Sequence, residues 1–353
     1  MEKAAVSDDG LLIPHRLTAF NTLLSQLIDL SKFLNGTPDQ RTETAKAILH
    51  GFQTAGFVYL KNTPIAAATR KHVFAMSANF FRLPLDDKMA VGWTTPEANR
   101  GYSAPGREKV TQLSDLAAVA KLKEAVPDIK ESIEIGREHE EDFPNQWPDE
   151  TTAAATTAGL PGFKATMVDF HDQCNAVHIE VMRAIAVGMG LSESHFDSYV
   201  DVGDNTLRLL HYPAVDRGVF RANPNQVRAG EHSDYGSITL LFQDGRGGLQ
   251  VKSPNGNFVD ATPIDDTVVV NAGDLLARWS NDTIKSTIHR VVEPPGGAEG
   301  DTYPARYSVA YFCNPNFKSH IEAIPGTYSA ETDKKYAGVN TGQYLVQRLA
   351  ATY

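Results

Sequence analysis

Two histidines and one aspartate in the second half of the chain have types and spacing that could do chemistry. His232 and Asp234 open the stretch EHSDYGSITLLFQD, Glu231 to Asp244, and His289 sits in NDTIKSTIHRVV. If Glu231 to Gln243 is a strand, residues two apart share a face about 6–7 Å apart, so the imidazole and the carboxylate point the same way. His289, from a later strand, completes the set. Two histidines and one carboxylate form the facial donor set that holds non-haem Fe(II) and leaves positions open on one side of the ion. Those positions suffice for a bidentate co-substrate and dioxygen. Taken alone, a histidine and an aspartate two apart occur by chance in many chains and read more readily as surface or hydrogen-bonded residues than as ligands. ARYSVAYF changes that, because Arg306, Ser308, Ala310 and Phe312 share one strand face with period two. Arg306 offers a planar fork for a carboxylate and Ser308 a hydroxyl beside it. An acid could be clamped there by one end while its other end chelates the metal.

Such residues need elements to position them. GTPDQRTETAKAILHGFQTAGF reads as a helix with Thr37 as N-cap, Pro38 in the first position and Gln40 closing a capping box. Gly51 and Gly56 crowd its end before the short strand FVYL. A second helix is expected over AATRKHVFAMSANFFRLP, stopped by Pro84. A third runs from about Phe163 to Met189, with Met167, Phe170, Cys174, Val177, His178 and Val181 at steps of three and four. From about Asn205 the chain becomes short strands: LRLLHYP, SITLLFQ, GLQVKSP, GNFVDATP, TVVVNAGDLL, KSTIHRVV and ARYSVAYF. Pro254-Asn255-Gly256-Asn257 and Asn271-Ala272-Gly273-Asp274 read as turns between them. Strands this short and this regularly punctuated predict a double-sheet jelly roll or barrel flanked by the earlier helices.

Composition narrows the class. The 353 residues are 42% hydrophobic and 22% charged, as in ordinary globular proteins. With 33 Lys plus Arg against 43 Asp plus Glu, the net charge of −10 repels a phosphate polymer, so nucleic acid is not an expected partner. Cys174 and Cys313 stand far apart and outside any CxxC pattern, which argues for a reducing compartment and against a zinc site. MEKAAVSDDG has no apolar core and no stretch approaches membrane-spanning length; the reading is cytoplasmic, with no membrane partner.

In order and spacing, His232-x-Asp234, His289 and Arg306-x-Ser308 resemble the isopenicillin N synthase-like branch of the Fe(II)/2-oxoglutarate-dependent dioxygenases. The likeness extends through IDLS, GFQTAGFVYLKN, FFRLP, NRGYS and IKESIEIG in the N-terminal half and NAGDLLARWSNDTIKSTIHRVV near the end. It implies an α+β fold: a double-stranded β-helix, or jelly roll, flanked by N-terminal helices and a C-terminal helical segment. Its expected divisions are an N-terminal helical and mixed region over 1–150, a scaffold helix over 151–200, the catalytic core over 201–318 and a C-terminal extension over 319–353. It implies Fe(II), 2-oxoglutarate and dioxygen as cofactor and co-substrates. His232, Asp234 and His289 become metal ligands; Arg306 and Ser308 hold the distal carboxylate of 2-oxoglutarate, with Tyr212 in HYP as a third contact. Many relatives have Asn where this chain has Leu210, so one polar contact near the co-substrate is missing or supplied elsewhere.

EANRGYSAPGREKVTQL, NTLRLLHYPAV, YFCNPNFKS and YLVQRLAATY point, within the family, to members that oxidise the methyl group of a pyrimidine base, thymine. A flat, uncharged base wants aromatic faces and a few hydrogen-bonding groups. Tyr235 and Phe312 match the stacking positions, and Arg208 matches a contact to a base carbonyl. Without the resemblance, both aromatics read equally as core packing. Asn99 in NRGYS is a further pocket candidate, or a turn residue. Two other readings stay open: a same-fold oxygenase acting on a fungal secondary metabolite, and a non-catalytic barrel that retains the donor set as a binding module. Residues His15 to Gln26, HRLTAFNTLLSQ, separate Ile13-Pro14 from LIDLS, two parts that relatives join directly; they are a surface insertion or a retained intron.

Overall fold

Thr37 starts the first long helix, α1 (Pro38–Thr54), by the reciprocal pair the sequence predicts. Its Oγ1 accepts from the Gln40 N–H at 3.3 Å, and its own N–H donates to Gln40 Oε1 at 3.0 Å. In this computed structural model the described residues are 27–109, 111, 116–223, 225–294, 297 and 299–352. The insertion 15–26 lies outside them. A second helix, α2 (Ala67–Phe81), ends three residues before Pro84, and α3 (Phe163–Gly188) is the longest. Met167, Phe170, Cys174, Val177 and Val181 on α3 are at most 1% exposed. Burial of side chains of this size stabilises by about 1.5–3 kcal/mol each. Helix α3 packs closely on α1, where a Cβ at Gly188 would stand 2.7 Å from the Ala45 carbonyl oxygen. A last helix, α4 (Thr341–Thr352), closes the described chain.

The strands of three or more residues are β1 (Leu27–Asp29), β2 (Phe57–Lys61), β3 (Gly101–Ser103), β4 (Glu131–Gly136), β5 (Thr206–Tyr212) and β6 (Ala229–His232). They continue with β7 (Ile238–Gln243), β8 (Leu249–Lys252), β9 (Phe258–Asp260), β10 (Thr267–Ala272), β11 (His289–Val291) and β12 (Arg306–Cys313). Eight form one sheet in the order β1-β2-β10-β7-β12-β5-β4-β3; four form a second in the order β9-β8-β11-β6. The β8–β9 hairpin closes with the Ser253 N–H donating to Asn257 O at 2.7 Å, and Gly256 takes the positive φ of +85° that the turn requires.

Period-two alternation assigns the two faces of the large sheet different work. Val58, Leu60, Leu207, Leu209, Leu240, Phe242, Val268, Val270, Val309 and Tyr311 point into the main core with the helices. Their strand neighbours Phe57, Tyr59, Leu210, Tyr212, Val269 and Ala310 form a second cluster with Ala229, Leu249, Val251 and Val291 of the small sheet. This is the jelly-roll interior, with helices against the outer face of the large sheet, as expected.

Two details differ from the sequence reading. Glu231 to Gln243 is not one strand: β6 ends at His232 in the small sheet, the chain bends, and β7 starts at Ile238 in the large one. The polar and small residues Ser233, Asp234, Gly236 and Ser237 lie in that bend. TVVVNAGDLL is likewise split, because after β10 the residues Asp274–Trp279 turn into a short helix.

Candidate active site

His232 ends β6 and His289 begins β11, and the two are direct partners across the antiparallel ladder. Their rings therefore sit side by side, with centroids 4.3 Å apart. Asp234 reaches the same point from the bend after β6, its Oδ1 3.7 Å from His289 Nε2. One donor atom from each residue lies within 4.8 Å of the other two. His232 Nδ1 is 2.7 Å from Gly230 O and His289 Nδ1 is 3.2 Å from Thr287 O. A carbonyl only accepts, so each Nδ1 carries a proton, and Nε2 is the ring atom left facing the site. Burial, with His289 beside it, pushes the His232 imidazole well below its usual range and keeps it neutral.

Asp234 is fixed from behind. Its Oδ2 accepts from Thr239 Oγ1 at 2.6 Å and from Asn271 Nδ2 at 2.7 Å. Burial raises its carboxyl, but the two imidazoles and these donors outweigh that and hold it below the ordinary carboxylate value. Two imidazoles and an ionised carboxylate converging from one side suit a divalent cation such as Fe(II). The turn after β10 fits against this bend: the Gly273 N–H donates to Ser237 O and the Asp274 N–H to Asp234 O, each at 2.8 Å. A Cβ at Gly273 would stand 2.4 Å from Gly236 O and 3.1 Å from Asp234 O, so only glycine allows this approach.

Arg306 is 1% exposed inside the jelly roll. Its Nε donates to Gly247 O at 2.8 Å, Nη2 to Gln243 Oε1 at 3.0 Å and Nη1 to Ser308 Oγ at 3.2 Å. Its guanidinium carbon stands 4.9 Å from the centre of the Tyr212 ring, across the β5–β12 pairing that also sets Leu210 opposite Ser308. Gln243 Nε2 is buried with no hydrogen-bond partner, an orphaned donor beside this arginine. A narrow cavity runs from this cationic end to the three metal-ligand candidates, lined by Tyr212, Arg306, Ser308, His232, Asp234 and His289. A short dicarboxylate with one end on Arg306 and the other at the metal fits that layout.

A larger cavity of about 290 Å³ shares His232, Asp234, Arg208 and Phe312 with the first. Tyr235 and Phe312 are among its walls, and the Arg208 guanidinium carbon stands 5.1 Å from the Phe312 ring centre. All nine residues singled out from the sequence thus line one of two joined cavities. Asn99 also lines the larger one; its φ of +48° marks a turn and its Oδ1 accepts from Trp93 Nε1 at 3.0 Å. Sequence reasoning missed Asn271 and Thr239 behind Asp234, Gln243 on Arg306, and Glu108. It also missed the cavity wall of Leu345, Val346, Leu349 and Thr352 on α4. A polar Asn271 inside TVVVNA was a visible signal; the loop around Glu108 has no periodicity to read. Among the described residues no helix is long and apolar enough to cross a membrane.

The 2OG-Fe(II) oxygenase superfamily profile matches residues 203–315, and the profile of the non-haem dioxygenase in morphine synthesis N-terminal region matches 26–150. The chain is 36% identical over 331 residues to a proline hydroxylase of Petromyces alliaceus, covering 92% of this chain and 98% of that one. It is 33% identical to a 2-oxoglutarate-dependent dioxygenase of Aspergillus rugulosus over 92% of this chain and 98% of the relative. Full-length Neurospora crassa thymine-7-hydroxylase in complex with alpha-KG and thymine is 69% identical, with a TM-score of 0.85, covering 99% of this chain and 100% of that one. The same protein with alpha-KG and 5-formyluracil superposes with a TM-score of 0.83 at 65% identity, each chain covered fully at 100%.

Proposed function

The chain belongs to the 2OG-Fe(II) oxygenase superfamily, and from that premise we propose that it hydroxylates the methyl group of thymine and carries the product onward through 5-formyluracil. The observation that carries this reading is the larger cavity. It meets the metal-ligand candidates His232 and Asp234, and its aromatic walls include Tyr235 and Phe312, with the Arg208 guanidinium beside Phe312. Flat rings with carbonyl edges suit such walls. The similarity to the Neurospora crassa thymine-7-hydroxylase, whose complexes hold thymine and 5-formyluracil, supports the same choice.

His232, Asp234 and His289 would hold Fe(II); Arg306, Ser308 and Tyr212 would hold 2-oxoglutarate. When bound, iron and 2-oxoglutarate supply the oxidising power: dioxygen is consumed, 2-oxoglutarate is decarboxylated to succinate and one C–H bond of the substrate becomes C–OH. The protein positions and excludes. Arg306 fixes one end of the co-substrate, so that its keto-acid end falls at the triad. Tyr235 and Phe312 hold the base plane while Arg208 sets its rotation, bringing the methyl group rather than a ring edge to the metal side. Leu345, Val346 and Leu349 keep water from that wall.

A proline hydroxylase among the relatives raises a saturated amino acid as the rival substrate. Proline is a puckered, saturated ring, and flat aromatic walls such as Tyr235 and Phe312 match it poorly. Succinate release from Fe(II)-loaded protein in the presence of thymine or of L-proline separates the two. Stimulation by thymine alone is expected, and stimulation by proline alone would sink the thymine reading.

A further inference from the structure

Glu108 is an anion buried in the wall of the larger cavity, beside Arg208. The next residue, Lys109, is pinned twice: its Nζ donates to Asp128 Oδ1 at 2.7 Å, and its N–H donates to Thr352 O at 3.1 Å. Glu108 Oε1 accepts from Arg208 Nη1 at 3.0 Å, and Oε2 accepts from Lys130 Nζ. Arg208 Nε in turn donates to Glu134 Oε2 at 2.8 Å. Burial alone would raise the Glu108 carboxyl, but Arg208 and Lys130 overcome it and hold it down at about 2. The Glu134 carboxyl, fully enclosed, is held above its ordinary value by burial against the pull of Arg208. Of the two acids on Arg208, only Glu108 borders the cavity.

A carboxylate has roughly four lone-pair sites, and these two bonds occupy one on each oxygen. Glu108 therefore retains acceptor capacity next to the arginine that lines the same cavity. A donor and an acceptor held 3.0 Å apart at one wall are complementary to an edge where a ring carbonyl adjoins a ring N–H. We propose that Glu108 is a specificity residue that accepts a hydrogen bond from one ring N–H of the base, while Arg208 donates to the adjacent carbonyl. This rests on the thymine reading and deepens it: the substrate class becomes cyclic imides and lactams with a free N–H, and a ring that presents an acceptor or a methyl group at that position is rejected. A carboxylate that served only to brace Arg208 would not discriminate in this way.

The test measures kcat/KM of the Fe(II)-loaded enzyme with 2-oxoglutarate for thymine, N1-methylthymine and N3-methylthymine, in the wild type and in Glu108→Gln. One of the two methylated bases is expected to fall at least about tenfold below thymine in the wild type, the scale of one hydrogen bond to a charged group. Glu108→Gln should raise KM for thymine by a similar factor and leave that methylated base within about threefold of its wild-type value. The wild-type series stands even if the variant does not fold. Equal use of all three bases by the wild type would overturn the inference, as would an equal loss on all three in a folded variant. If the wild type turns over no thymine at all, the thymine reading falls first and is distinguished from both.

Discussion

At the scale of single residues, the donor set is held by neighbours as much as by its own chemistry. Thr239 and Asn271 fix Asp234 Oδ2, and metal-site supports of this kind are worth about 10–100-fold in metal affinity or activity. Asn271→Ala should therefore lower Fe(II) affinity by that order, read by competition with a chelator; unchanged affinity would remove Asn271 from the site. Arg306→Lys keeps the charge but loses the fork, so KM for 2-oxoglutarate should rise about tenfold or more, with a smaller change in KM for thymine. The ionised state of Glu108 has a pH signature. Its folded value, about 2, lies below the ordinary value of 4.5. Its contribution to stability is therefore present above about pH 4.5 and is lost as pH falls through about 2. The stability difference between wild type and Glu108→Gln, followed by denaturant unfolding, should shrink from pH 6 toward acid; a constant difference would contradict the assignment. Arg306 and Ser308 were legible in the sequence because alternation on β12 aims them to one face; His232, Asp234 and His289 were legible by residue type and order, although Asp234 reaches the site from a bend and not from a strand. Glu108 was not, since its partners Arg208 and Lys130 lie in other elements and no local pattern announces them.

Among elements, the capping box of α1, the stripe on α3 and most strands were readable, because caps and periods are local. The break at Asp234 was not. The mostly apolar run Ile238 to Phe242 reads as a strand, but no local pattern shows that the chain changes sheets between His232 and Ile238. Gly273 is the test of the contact between the turn after β10 and this bend. Gly273→Ala would place a methyl 2.4 Å from Gly236 O, so the bend bearing Asp234 must shift. Fe(II) affinity should drop with only a modest loss of melting temperature; full metal affinity would show that the bend tolerates the intrusion. Helix α4 is a second such element. It was expected only as a C-terminal helical segment, yet Leu345, Val346 and Leu349 wall the base cavity, and the Tyr235 hydroxyl lies 2.8 Å from Thr352 Oγ1. Removing residues 341–353 should raise KM for thymine at least about tenfold while 2-oxoglutarate turnover without substrate persists, because burial of the base supplies part of its binding.

Over the whole molecule, the large sheet divides the labour. One face is apolar and packs against α1, α2 and α3; the other carries Arg208, Tyr212, Arg306, Ser308 and Phe312 into the jelly-roll interior. Rigid strands thus hold both ends of the co-substrate cavity, and the second sheet supplies His232 and His289 from directly paired positions. Segment 15–26 precedes the first described strand, and its deletion should leave folded, active protein; a large fall in melting temperature would give it a structural role. The central claim joins metal site, co-substrate clamp and base cavity in one reaction. Anaerobically prepared Fe(II) protein given 2-oxoglutarate and thymine, then limiting oxygen, tests it by quantifying succinate and oxidised base together against a control without thymine. The account predicts thymine-dependent succinate matched mole for mole by the summed oxidation steps of 5-hydroxymethyluracil and its further products. Succinate formed at the same rate without thymine, with no oxidised base, would contradict it.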